Sequence, residues 1–201
     1  MKTYILASAL LATFGAAHAQ NVITNGSFED RSSAVAPGEL GRFTSFKGWS
    51  SSNDVIVHDA DGAGTAFDGF DFVTLSPSSV LTQSNIATTA GQSYTLSYAV
   101  SGAAGTGATN NVLNFSWDGT VTRVPGIDAT SASGNVWTTY TFNVQGTGSD
   151  TLAFLGASTG NGARLDNVML TAAVPEPSTY ALMLAGLGFA GVVIRRRNSA
   201  R

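Results

Sequence analysis

The central part of this sequence predicts an all-β fold, an antiparallel β-sandwich or jelly roll. Three observations carry the prediction. Several runs alternate apolar and polar residues with period two, the pattern of a half-buried strand. The runs are joined by glycine-, aspartate- and asparagine-rich turns. No long amphipathic helical pattern lies between them, which favours antiparallel layers over a parallel α/β design.

The clearest strand places Tyr94, Leu96, Tyr98 and Val100 on one face and Thr95, Ser97, Ala99 and Ser101 on the other. In the run Val112–Trp117, Leu113, Phe115 and Trp117 oppose Asn114 and Ser116. Tyr140, Phe142 and Val144 alternate with Thr139, Thr141 and Asn143. Shorter strands are expected at Val55–Val57, Phe72–Leu75, Val80–Gln83, Leu152–Leu155 and Leu165–Leu170. Threonine, valine and aromatics dominate these runs, as pleated, half-buried surfaces require. Ala90-Gly91-Gln92, Ser101–Gly107, Asp118-Gly119 and Gly146-Thr147-Gly148 read as the turns and loops between them.

The two ends differ from the middle. Residues 5–17 carry no charge, follow Lys2 and lead into Ala17-His18-Ala19, which has small residues at both positions of an A-x-A cleavage site. A basic start, a short apolar run and this cut describe a secretory signal peptide, an N-terminal signal helix over residues 1–19. Thirteen residues are too few to cross ~30 Å of hydrocarbon. The mature domain is expected over 20–173.

The tail, 174–201, opens on Val174-Pro175-Glu176-Pro177, a stiff extended spacer because each proline fixes its own backbone and restricts its predecessor. A short transmembrane helix is expected over 180–194, followed by a basic end, 195–201, with Arg195, Arg196 and Arg197 as the stop. Basic residues stay cytoplasmic, so the domain would lie on the far side of the inner membrane. Seventeen residues from Ser178 to Ile194 are the short limit of a span, and a plain single-span anchor also fits.

Charge and cysteine content exclude several classes. The formal net charge is −3, but five of ten basic residues lie in the two ends. Between Gln20 and Val174, five basic residues face twelve acidic ones, a net of −7. Such a domain is a poor partner for a phosphate backbone, so no nucleic acid is expected. There is no cysteine, hence no disulfide, thiolate metal site or cysteine nucleophile.

The tail resembles a known signal. Val174-Pro175-Glu176-Pro177-Ser178-Thr179, a short apolar span and Arg195-Arg196-Arg197 look like the PEP-CTERM sorting signal of Gram-negative bacteria. The resemblance implies processing by an exosortase, transient anchoring in the inner membrane, and a final place at the cell surface or in an extracellular, biofilm-type matrix. The middle resembles galactose-binding-like β-sandwiches, including carbohydrate-binding modules. The residues that carry this are Asn25-Gly26-Ser27-Phe28-Glu29, Gly48-Trp49, Leu81-Thr82-Gln83, Thr89–Tyr98 and Leu165-Asp166-Asn167-Val168. In such sandwiches a calcium ion often ties the first strand to the last. The matching oxygen donors would be Glu29 and Asp166, with capping or pairing to an arginine as the alternative role.

The chemistry read from the chain is non-enzymatic. His58, the one histidine beyond the signal peptide, sits in Val55-Ile56-Val57-His58-Asp59, and no Gly-x-Ser-x-Gly elbow accompanies it. No spacing places two carboxylates across a cleft as a glycosidase needs. Asp59-Ala60-Asp61-Gly62 starts like a calcium loop but lacks the later ligands and the closing glutamate. Sugars stack their apolar faces on aromatic rings. Trp117 shares parity with core residues; Trp137, of opposite parity to Tyr140 and Phe142, and Trp49, which also looks structural in the resembled family, are the ligand candidates, each with core packing as the alternative, and the loops 58–71 and 101–110 are the place for ligand. The function expected is a surface or matrix protein whose sandwich binds extracellular polysaccharide. The alternatives are a hydrolase acting on that polysaccharide and a structural matrix protein without a specific ligand.

Overall fold

A computed structural model describes residues 20–30, 41–59, 64–102, 113–122, 136–156, 163–173 and 183–188. Residues Gln20–Ala173 form one compact unit. It contains ten strands: β1 Gly41–Phe46, β2 Trp49–Asp59, β3 Asp71–Leu75, β4 Val80–Ala87, β5 Ser93–Gly102, β6 Leu113–Trp117, β7 Thr120–Thr122, β8 Thr138–Gln145, β9 Ser149–Gly156 and β10 Ala163–Ala172.

All strand pairs are antiparallel, in the order β7-β6-β9-β4-β2-β3-β10-β5-β8, with β1 on β2. The long β2 turns this path into two layers. Its start, at Ser50 and Ser51, pairs with β4, and its end, from Val55 to Asp59, pairs with β3. One layer is therefore β7-β6-β9-β4 and the other β3-β10-β5-β8, joined through β2.

The inner faces of the two layers meet through aromatic side chains. Tyr98 of β5 packs edge-on against Phe154 of β9, with ring centroids 4.9 Å apart, and Phe115 of β6 lies 4.7 Å from Phe142 of β8. These contacts make the fold a sandwich, as the alternation predicts. Tyr94, Leu96, Tyr98 and Val100 are buried, and so are Leu113, Phe115 and Trp117. Tyr140, Phe142 and Val144 are only half-buried, because β8 closes the edge of its layer.

Two strands are missing from the sequence reading. β1 (Gly-Arg-Phe-Thr-Ser-Phe) and β7 (Thr-Val-Thr) are short and sit off or at the end of the sheet path, so they need no fully apolar face.

The start of the domain is stitched to its last strand. Asn21 bridges Thr171, its side chain takes the Leu170 N–H at 2.8 Å, and Val168 N–H donates to Gly26 O at 2.8 Å. Gly26 is required here, since a Cβ would fall 2.0 Å from the Val168 carbonyl oxygen. The β10 register shifts between Asp166 and Met169, with Asn167 at φ 48°, so a bulge accommodates this inserted segment.

Outside the compact unit the described residues are 183–188, which are helical and exposed. Among the described residues no helix is long and apolar enough to cross a membrane. The signal peptide 1–19, the motif Val174–Pro177, the basic stop Arg195–Arg197 and most of the expected span 180–194 lie outside the described residues.

Candidate functional site

Glu29 and Asp166, expected together as oxygen donors, hold one loop from two sides. Glu29 Oε1 accepts the N–H groups of Phe70 and Asp71, both at 2.7 Å. Asp166 Oδ2 accepts those of Phe67 and Asp68 at 2.8 and 3.0 Å, and its Oδ1 accepts the Asn167 N–H at 2.6 Å. Residues 67–71 are thus clasped by a carboxylate near the domain's start and one near its end. Asp166 is fully buried, and burial pushes its carboxyl up to about 7, although the three N–H donors pull the other way.

The chemistry of this donor set bears on calcium. Calcium takes six to eight oxygens. Of the pair's carboxylate oxygens, Glu29 Oε1 and both oxygens of Asp166 face N–H donors. Among the described residues no group of three His, Asp or Glu side chains converges to hold a metal. In the described residues the pair builds a peptide clasp around the loop.

The clasped loop presents aromatic rings. Phe70 is 71% exposed and Phe67 44% exposed. Trp137, just before β8, is half-buried beside them: its indole N–H donates to Thr65 O at 3.0 Å. Its ring stands edge-on to Phe67 at 6.2 Å and to Phe72 at 5.8 Å. The Arg164 guanidinium sits 5.1 Å from the centre of the Phe72 ring, which braces the patch from below. Val136 adds a further exposed apolar side chain. Trp137 therefore stands at a surface, outside the two loop regions assigned to ligand but against Thr65 and Phe67 of the 58–71 loop. Phe67 and Phe70 beside it were missed, although Phe67-Asp68-Gly69-Phe70 carries the signal: two rings in a loop too rich in Gly and Asp for a core.

Trp49 corrects its assignment. It is 3% exposed, packs on Phe28 and Phe154, and donates its N–H to Asn25 O at 3.0 Å. No face of its ring is open to a sugar, and its role is to tie Asn25-Gly26-Ser27-Phe28-Glu29 to the core. Gln83 does the same from β4, accepting the Thr24 N–H at 2.9 Å and donating to Thr24 O at 2.8 Å. Trp117 is core, as its parity predicts. The side chain of His58 lies outside the described residues.

A second pair of carboxyls, Asp118 and Asp150, is joined by a hydrogen bond. Burial, then the bond to Asp150, raises Asp118. Burial also pushes Asp150 up, but hydrogen bonds from Thr147, Thr88 and Asp118 outweigh it and hold that carboxyl low. Asp118 Oδ1 also accepts the Thr151 N–H at 2.7 Å, which fastens the β6–β7 turn to β9.

The apolar span and basic run that follow Val174-Pro175-Glu176-Pro177 decide the nature of the tail. Residues 173–197 match the PEP-CTERM protein-sorting motif. The sorting motif spans the Pro-Glu-Pro segment and Arg195–Arg197, and it implies export with a membrane-anchored sorting signal. No curated protein matches the chain. Among solved structures, a Stig cyclase from Fischerella sp. TAU is 16% identical at a TM-score of 0.54, over 77% of this chain and 97% of that one. A family 35 carbohydrate-binding module from Clostridium thermocellum is 14% identical at a TM-score of 0.48, over 67% of this chain and 99% of that one. A xylan-binding domain from Paenibacillus barcinonensis is 14% identical at 0.47, over 71% and 100%. At such identities the likeness to the cyclase is one of fold, the β-sandwich, and goes no further.

Proposed function

We propose that this protein is a non-enzymatic, polysaccharide-binding protein of the cell surface or extracellular matrix, delivered there by exosortase processing of its sorting motif. The observation that carries the binding reading is the aromatic platform of Phe67, Phe70 and Trp137. Two exposed phenylalanines and a tethered indole offer the apolar faces on which sugar rings stack. The loop that bears them is held by Glu29 and Asp166, so little ordering is left to oppose binding.

The test is retention of the full chain on a panel of insoluble and immobilised polysaccharides, with reducing-end release measured in the same tubes. Retention that is lost in Phe70→Ala, without released sugar, is expected. Catalytic release of reducing ends, or retention unaffected by Phe70→Ala, would defeat the proposal.

A further inference from the structure

We infer that the platform takes uncharged polysaccharide and discriminates against uronate-bearing chains. This inference rests on the reading of Phe67, Phe70 and Trp137 as a glycan site. It comes from the charges among which those rings sit. Asp68 lies between the two exposed phenylalanines and is itself exposed. Glu29, also exposed, places its carboxylate on the Phe70 and Asp71 N–H groups. Behind them, Asp71 and Asp166 are fully buried.

Among the described side chains, positive charge does not offset this. Among the described side chains, the basic ones are Lys47 and Arg164. Lys47 is engaged by Asp30 at 2.5 Å, and Arg164 is 4% exposed with its guanidinium over Phe72. A polymer with a carboxylate on each sugar would bring its charges within a few ångströms of Asp68 and Glu29. Repulsion at that range survives physiological salt, where the screening length is ~8 Å. An uncharged sugar meets only the aromatic faces and hydrogen-bonding carboxylates, whose oxygens accept from its hydroxyls.

The experiment compares a neutral β-glucan and a neutral galactan with alginate, a polymer of uronates, using the full chain at low and at high sodium chloride. Binding to at least one neutral polymer, with alginate about threefold or more weaker at low salt and the gap closing at high salt, is the expected result. Asp68→Asn should raise alginate binding about threefold relative to the neutral polymers and leave the melting temperature unchanged. Glu29→Gln keeps an oxygen for the Phe70 and Asp71 N–H groups while removing the charge, and should act in the same direction. Alginate bound as tightly as the neutral polymer at low salt, or indifference to both substitutions, overturns the selectivity while leaving the glycan reading in place. No binding to any of the three polymers at either salt overturns the glycan reading itself.

Discussion

Gly69 and Glu29 are fitted to one another: a Cβ on Gly69 would fall 2.3 Å from Glu29 Oε1, the atom that accepts the Phe70 and Asp71 N–H groups. Gly69 also has φ 69°, a left-handed conformation that costs an L side chain about 1 kcal/mol or more. Gly69→Ala therefore has to break the clasp or strain the loop. The expected outcome is a loss of ~1–3 kcal/mol in stability and a larger proportional loss of glycan retention. Gly119 is the control. It too has positive φ, at 82°, but its Cβ would meet nothing within 4 Å. Gly119→Ala should cost stability through strain alone and leave retention intact. Chemical denaturation and retention assays on the two variants separate the effects.

The burial of Asp166 sets a pH dependence with a definite sign. Its folded carboxyl titrates at about 7, above the ordinary value of ~3.9 for an unfolded aspartate. Between those values the native state binds the extra proton, so this group's contribution to stability falls as pH rises from about 4 through about 7 and is flat beyond. Asp166→Asn should remove that slope, measured by melting temperature across the range. The same titration tests calcium. With N–H groups on both Asp166 oxygens and on Glu29 Oε1, millimolar calcium or a chelator is expected to leave the curve in place. A rise in melting temperature with calcium that disappears in Asp166→Asn would restore the cation.

Tyr98 offers a stabilising substitution. Its ring is the hub of the core, touching Phe115, Tyr140, Phe142 and Phe154. Its hydroxyl is buried with no hydrogen-bond partner among the described residues, and burial, then Tyr140, drives its ionisation far above the ordinary tyrosine range. A buried hydroxyl without a partner costs about 1–3 kcal/mol. Tyr98→Phe keeps the ring contacts and removes the orphan oxygen. Denaturation midpoints should rise by the equivalent of ~1 kcal/mol. A fall of that size would mean that the hydroxyl has a partner in solution, such as a buried water.

The sandwich was legible because period-two alternation reports burial directly, and β5 and β6 are buried on the face the pattern marks. The pairing of Glu29 with Asp166 on one loop was legible only in part. Resemblance brought the two residues together as oxygen donors, but a carboxylate is equally suited to a cation and to a row of N–H groups. The backbone direction of residues 67–71, which puts a row of N–H groups on these oxygens, is a tertiary property. The exposed rings of Phe67 and Phe70 have no periodic signature, since a loop presents its side chains by turn geometry and not by alternation. Trp49 was misassigned for the same reason. It stands at a strand start, where parity to a known core face is unavailable, and its burial comes from Phe28 in the preceding motif.

The tryptophans Trp49 and Trp137 give the sharpest separation of fold from function. Both indole N–H groups donate to a backbone carbonyl at 3.0 Å, Trp49 to Asn25 and Trp137 to Thr65. Their surroundings differ. Trp49 is enclosed by Phe28 and Phe154 in the core, so Trp49→Ala opens a cavity and leaves the Asn25 carbonyl unpartnered. A loss of ~3–5 kcal/mol is expected, with any fall in retention following the fraction unfolded. Trp137 stands half-buried against Phe67 and Phe72 at the edge of its layer. Trp137→Ala should cost no more than ~1–2 kcal/mol and abolish retention on neutral polysaccharide at temperatures where the variant is fully folded. Trp137→Phe keeps an apolar face but loses the bond to Thr65, and should retain partial binding. Equal retention by wild type and Trp137→Ala would remove the indole from the binding surface.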